Sequence, residues 1–179
     1  MKSRHALRDC LACLCAAVLL CVGGCEKDPG WGKVLSQVRR DFPDVRMIST
    51  QQLADWQADT GREQPLLLDV RAVKEYEVSH LRGAVLADTD SGRREALHNT
   101  PKDRPIVVYC SVGYRSAAAA RKIKAMGFTN VSNLEGSIFA WANEGRPIYR
   151  DGGEPATRVH PYDDRWGKLL DKRYHPAGE

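Results

Sequence analysis

The 179-residue sequence points to an α/β fold, a mainly parallel central sheet with helices on both faces, and three observations carry that expectation. Short apolar runs rich in branched side chains recur along the chain, each long enough for one buried strand. Helical stretches of about ten residues separate them, which is the spacing of strand, crossover helix and parallel strand. A cysteine, Cys110, stands where one such run ends and an alanine-rich helix begins. In sheets of this kind ligands bind beyond the carboxyl ends of the strands.

Taken in order, Lys33 to Asp41 reads as a short amphipathic helix after the turn Asp28-Pro29-Gly30, and Val45 to Ile48 as the first strand. Ser49 caps a helix that reaches about Asp59, with Gln52 at its third position completing a capping box. Gly61 closes it, and Leu66 to Asp69 is the second strand. A helical turn over Lys74 to Glu77 precedes a strand over Ala84 to Ala87, and the polar stretch Asp88 to Pro101 holds a helical segment at Arg93 to His98. After Pro105, Ile106-Val107-Val108-Tyr109 has the composition of a buried strand. Ser116 is suited to cap the helix that runs through Ala117 to Met126 and stops at Gly127. A strand over Val131 to Leu134 and a helix over Ser137 to Asn143 complete the series. Beyond Pro147, a turn-rich linker, Asp151-Gly152-Gly153-Glu154-Pro155, leads to a tail with Tyr162, Trp166 and Tyr174. That tail is too apolar for disorder and is expected to fold back, covering part of the sheet edge.

The chemistry concentrates in Cys110-Ser111-Val112-Gly113-Tyr114-Arg115-Ser116. A thiolate, not a thiol, is the nucleophile, so something must favour the anion at neutral pH. Unpaired N–H groups at a helix start can turn toward a sulfur anion, Gly113 lets the loop curl into a nest, and Arg115 adds a permanent cation. Burial alone would account for the cysteine but not for the glycine and arginine within the same turn.

These residues, with others in the right order, resemble the rhodanese-like sulfurtransferases. Leu66-Leu67-Leu68-Asp69-Val70-Arg71, then Glu75-Tyr76, then His80-Leu81-Arg82-Gly83-Ala84 is similar to the first signature of that family, with Ser79 where glycine is usual. The Cys110 to Ser116 loop is similar to the Cys-x-x-Gly-x-Arg-Ser form of its active loop. Asn133-Leu134-Glu135-Gly136-Ser137 with Trp141 resembles its closing motif, with Ser137 replacing the second glycine. The resemblance spans about residues 45 to 148. It implies ping-pong transfer of sulfane sulfur through a persulfide on Cys110, from thiosulfate or a persulfide donor to a thiophilic acceptor, with no metal or organic cofactor. Main-chain N–H groups of residues 111 to 116 are expected to stabilise the anionic sulfur, and Val112 and Tyr114 to shape access to it. Cysteine phosphatases are similar in pairing a cysteine with an arginine, but they set five residues between them, against four between Cys110 and Arg115. The shorter ring favours sulfur over phosphate or arsenate. That oxyanion chemistry and a noncatalytic envelope binding module are the two rival classes.

Asp69, Arg71 and Glu75 read first as a structural cluster, with Arg71 reaching Glu75 at helical i,i+4 spacing, and second as support for the active loop. His80 fits a hydrogen-bonded structural histidine. His160 and His175 lack a third metal ligand and read as surface histidines.

The amino terminus has the parts of a signal peptide: basic residues Lys2, Arg4 and Arg8, an apolar run from Leu11 to Val22, and Val22-Gly23-Gly24-Cys25. The run is too short to span a bilayer comfortably. The ending resembles a bacterial lipobox, which implies cleavage before Cys25 and lipid on its sulfur. The expected organisation is a signal peptide over 1–24, a lipid tether with a short helix over 25–44, the domain over 45–149 and the tail over 150–179. A lipid anchor places the domain at the bacterial cell envelope, on the periplasmic or outer-surface side, with the membrane and an envelope protein as partners. Of six cysteines, Cys10, Cys13, Cys15 and Cys21 leave with the signal and Cys25 carries lipid, so Cys110 remains as the free thiol. The net charge of +4 falls to about +2 on cleavage, too balanced to argue for nucleic acid.

Overall fold

The computed structural model describes residues 30–177. The segment read as a signal peptide and Cys25 lie outside the described residues. Five short strands form one parallel sheet: β1 (Arg46–Ile48), β2 (Leu66–Asp69), β3 (Val85–Leu86), β4 (Ile106–Tyr109) and β5 (Val131–Leu134), in the spatial order β1-β5-β4-β2-β3. β4 is paired on both sides, with Leu66 to Asp69 of β2 opposite Ile106 to Tyr109 and with Val131 to Asn133 of β5 opposite Ile106 to Val108.

The central strand β4 is apolar on both faces because both faces are covered. Ile106, Val108 and Cys110 point into one core with Val38, Ala117, Ala120 and Ile123, from α1 (Trp31–Asp41) and α5 (Tyr114–Ala125). Val107 and Tyr109, at the alternate positions, point into the other with Leu53 and Trp56 of α2 (Thr50–Ala58) and Ile138, Phe139 and Trp141 of α6 (Ser137–Asn143). Two shorter helices, α3 (Val73–Val78) and α4 (Asp90–Ala96), connect β2 to β3 and β3 to β4. The Ser49 capping box forms as expected, the hydroxyl accepting from Gln52 N at 3.1 Å and Gln52 Oε1 accepting from Ser49 N at 2.9 Å.

The structure corrects the expected start of α5. The helix begins at Tyr114, and Gly113, at φ 109°, takes the cap position in a conformation that favours glycine. Ser116 lies inside the first turn and aims its hydroxyl at the Cys110 sulfur instead of at the helix backbone. α4 starts earlier than expected, at Asp90, because the Thr89 hydroxyl accepts from Gly92 N at 2.9 Å and caps it. Helix α1, placed in the tether by the sequence, belongs to the folded body, since Val38 is buried in the core shared with α5.

The tail also belongs to that body. After a hairpin of β6 (Ile148–Tyr149) and β7 (Pro155–Ala156), Val159, Leu169 and Leu170 are buried in the core on the α6 side of the sheet. Asn143, at the end of α6, donates to Leu169 O and accepts from Asp171 N, each at 2.8 Å. The tail thus docks on a helix layer and not along a sheet edge as expected. Its histidines are partly buried: His160 Nδ1 accepts from Tyr162 N at 3.0 Å, and His175 Nε2 lies 3.1 Å from the carbonyls of Gly167 and Leu170. They brace turns of the tail and do not stand free at the surface.

Leu170→Ala is expected to lower the unfolding free energy by about 2–3 kcal/mol in a urea titration, the usual cost of truncating a buried leucine. A change near zero would mean the tail contributes nothing to the cooperative fold.

Candidate active site

Cys110 follows the last residue of β4, and two neighbouring elements, α6 and β5, turn the loop after it so that the carbonyls of Cys110, Ser111 and Gly113 are bonded outside the ring. The first N–H groups of α6 have no partner within that helix, and those of Ile138 and Phe139 donate to Cys110 O at 3.2 Å and Ser111 O at 3.1 Å. Asn133 Nδ2 donates to Gly113 O at 3.1 Å. The Cys110 N–H donates to Ser137 Oγ at 3.1 Å, and that hydroxyl donates in turn to Leu134 O at 3.0 Å. Ser137 sits at φ 50°, a conformation that disfavours side chains, which explains why glycine is usual there. Its two hydrogen bonds offset that strain, at about 1 kcal/mol each.

With its carbonyls so engaged, the loop presents donors to the sulfur. Gly113 N–H donates to Cys110 Sγ at 3.2 Å, and the Ser116 hydroxyl lies 3.5 Å from it. Burial pushes the Cys110 thiol up, but the Arg115 charge, the Ser116 hydroxyl and the N–H groups of Ser116 and Gly113 outweigh burial and hold it below the ordinary thiol value. Of the N–H groups of residues 111 to 116 expected to face the anion, those of Gly113 and Ser116 do so; the N–H of Cys110 itself is bonded to Ser137.

Arg115 is not free to leave its place. Its Nη1 and Nη2 donate to Glu75 Oε2 and Oε1 at 3.0 and 2.8 Å, and Nη2 also donates to Ser111 Oγ at 2.8 Å. Ser111 Oγ donates to Glu75 Oε1 at 3.0 Å, and Ala72 N–H donates to Glu75 Oε2 at 3.1 Å. Glu75 is buried, and burial raises its carboxyl, but the fork of Arg115 outweighs that effect and keeps it below the usual carboxylate range. The expected Arg71–Glu75 pair is therefore corrected. Arg71 instead forks onto Asp69, with Nε–Oδ1 at 2.9 Å and Nη2–Oδ2 at 2.6 Å, and donates to Ser79 O at 2.6 Å. Asp69 and Arg71 are fully buried and hold the turn before Ala84, whereas Glu75 supports the active loop directly. His80 is structural: its ring stacks on Tyr76 at 4.1 Å, and its backbone bridges Tyr149.

Above Cys110 lies a cavity of about 430 Å³ lined by the loop residues Ser111, Val112, Tyr114 and Arg115. The sulfur forms its floor, in a residue that is 1% exposed. Val112 is buried, and Tyr114 is tied to α1, its hydroxyl donating to Asp41 Oδ2 at 2.9 Å. The rest of the wall was not anticipated: Gln37 comes from α1, and Tyr162, Arg165 and Trp166 come from the tail. The aromatic content of the tail was visible, but not the place where it docks.

Residues 49–144, more than half of the chain, match the model of the rhodanese-like domain. The chain belongs to the rhodanese-like family. A sulfurtransferase of Allochromatium vinosum is 34% identical over 109 residues, covering 61% of this chain and 99% of that protein. The probable adenylyltransferase/sulfurtransferase MoeZ of Mycobacterium tuberculosis is 40% identical over 103 residues, 56% of this chain, and the chain spans only 25% of that protein. Among solved structures, the rhodanese-like domain of the Anabaena Alr3790 protein superposes with a TM-score of 0.53 at 25% identity, over 58% of this chain and 78% of that one. Within this rhodanese-like domain the match stops before the tail, so Tyr162, Arg165 and Trp166 lie outside the matched span.

Two outcomes follow from the loop. Ser116→Ala removes a donor to the sulfur anion, so the pH midpoint of Cys110 alkylation by iodoacetamide should move up toward the ordinary thiol value; an unchanged midpoint would show that the hydroxyl does not hold the thiolate. Glu75→Gln should cost about 2 kcal/mol at neutral pH, as expected for lost charge-assisted hydrogen bonds. Because the folded carboxyl titrates below its unfolded value, its contribution is complete above the ordinary carboxylate range and is lost as the pH falls through the depressed value. The gap between wild type and variant in urea titrations should therefore close in acid.

Proposed function

We infer that this rhodanese-like protein transfers sulfane sulfur through a persulfide on Cys110. The observation that carries the reading is the convergence on one buried sulfur of the Gly113 and Ser116 donors, with Arg115 beside it, in a loop whose carbonyls are bonded elsewhere. Such donors are set before the reaction and stabilise anionic sulfur without reorganising during it. In the first half-reaction the Cys110 thiolate attacks the outer sulfur of a donor. A bond forms from Sγ to that sulfur, the bond to the leaving group breaks, and the electron pair departs with the leaving group, sulfite from thiosulfate or a thiolate from a persulfide. In the second half-reaction a nucleophilic acceptor takes the terminal sulfur and regenerates the Cys110 thiolate. Neither step needs an added oxidant or reductant. With Cys25 lipidated, the protein would work at the bacterial envelope and pass sulfur to a thiol or a partner protein there.

Intact-mass spectrometry of the chain from Glu26 onward, which retains the whole described body, tests this reading. After thiosulfate or a low-molecular-weight persulfide, wild type should gain the mass of one sulfur atom, cyanide should remove it, and Cys110→Ser should gain nothing. A folded, reduced wild type that takes no sulfur from either donor would sink the assignment, and Cys110-dependent hydrolysis of an aryl phosphate would replace it with oxyanion chemistry.

A further inference from the structure

The charge balance of the cavity leaves a requirement that the active loop does not meet. Thiosulfate carries two negative charges and approaches a third on the Cys110 thiolate, so the first step gathers three like charges in a small volume. Arg115 favours the thiolate, but both of its terminal nitrogens are already bonded to the buried Glu75 carboxylate, so its charge is shared with that partner. The helix start contributes only partial charge. A further cation is needed for a dianion to dwell over the sulfur.

Arg165 is placed to supply it. It lines the same cavity from the tail, and among the described residues it forms no ion pair with a carboxylate. Its guanidinium lies over the Trp166 ring, 5.2 Å from the centroid, which restricts where it can go. No ion pair joins its guanidinium to the neighbouring Asp163, whose Oδ1 is turned to the backbone, accepting from Arg165 N at 3.0 Å and Trp166 N at 2.8 Å. Asp164 is exposed and does not line the cavity. Three residues earlier, Tyr162 is held at φ 71°, in the left-handed region that a tyrosine rarely adopts. That strained turn sets its ring 4.4 Å from the Arg115 guanidinium, so the tail is clamped onto the active loop where Arg165 projects.

We propose that Arg165 is the donor-binding cation of this site and that it selects a small, doubly charged, oxyanion-bearing sulfur compound of the thiosulfate class. The proposal rests on the Cys110 persulfide reading and assigns, outside the matched span, the residue that binds its dianionic donor. The Cys110 thiolate bonds to the outer sulfur, the sulfur–sulfur bond of the donor breaks, and sulfite leaves with the electron pair while Arg165 faces its oxygens. The total charge of minus three is the same on both sides of the step.

The test compares wild type, Arg165→Gln and Arg165→Lys in steady-state turnover with cyanide as acceptor, following sulfite released from thiosulfate and methanesulfinate released from methanethiosulfonate, which carries one charge fewer. The side chain is exposed and makes no ion pair among the described residues, so both variants should fold. Arg165→Gln should raise KM for thiosulfate about tenfold, corresponding to ~1.4 kcal/mol, with kcat changed less than about twofold and a smaller rise for methanethiosulfonate. Arg165→Lys should recover most of the loss, and added salt should weaken thiosulfate binding more in wild type than in Arg165→Gln. Equal KM values for thiosulfate in wild type and Arg165→Gln would overturn the proposal. So would a wild type that loads sulfur from a low-molecular-weight persulfide but not from thiosulfate, an outcome that leaves the Cys110 reading standing. Loading from neither donor overturns both.

Discussion

A buried carboxylate has to be satisfied on all sides, and Glu75 is the point at which that requirement organises this protein. It is an acceptor only, and what satisfies it comes from Ala72 beside it and from Ser111 and Arg115 in the active loop. Through those bonds α3 fixes the plane of the Arg115 guanidinium and the rotamer of Ser111, and the arginine in turn faces the sulfur. Without Glu75, a cation on a long side chain would wander over a cavity open to water. With it, the cation is fixed in place but electrically diluted. The same pairing that orients Arg115 thus limits how much negative charge it can receive from a substrate.

The opposite side of the loop follows a parallel logic with neutral groups. The N–H groups at the start of α6 would be orphaned, as would the carbonyls of a tightly curled loop, and each set satisfies the other. Ser137 closes the arrangement by taking a left-handed conformation and spending its hydroxyl on Cys110 N–H and Leu134 O. Cys110 is therefore held from two directions, by a charge cluster on the α3 side and by helix and strand ends on the α6 side.

Local chemistry made much of this readable from residues alone. The strands around Leu66 and Ile106 declare themselves by composition, the Ser49 box by spacing, and the Cys110 loop by three residue types in one turn. What escaped were relations between segments far apart in the chain. Ser116 has the character of a helix cap, yet an anionic sulfur nearby competes for its hydroxyl, and Gly113 takes the cap position. Glu75 stands at the right spacing from Arg71, yet Arg71 has a closer carboxylate in Asp69, and Glu75 is left for a partner forty residues on. The apolar residues of the tail signalled burial, but the choice between a sheet edge and α6 depended on Asn143, a polar residue with no pattern to announce it.

The docking of the tail has a consequence for how this site can change over time. The sulfur, its donors and the Glu75 clamp all lie within residues 49–144, while Tyr162, Arg165 and Trp166 lie in a separate stretch that only packs against them. The groups around the sulfur and the outer wall of the cavity are thus encoded in different parts of the chain. Substitutions at Arg165 and Trp166 can redraw the cavity wall without touching Gly113, Ser116 or Glu75, so a lineage can retain one reaction while exploring new partners for it.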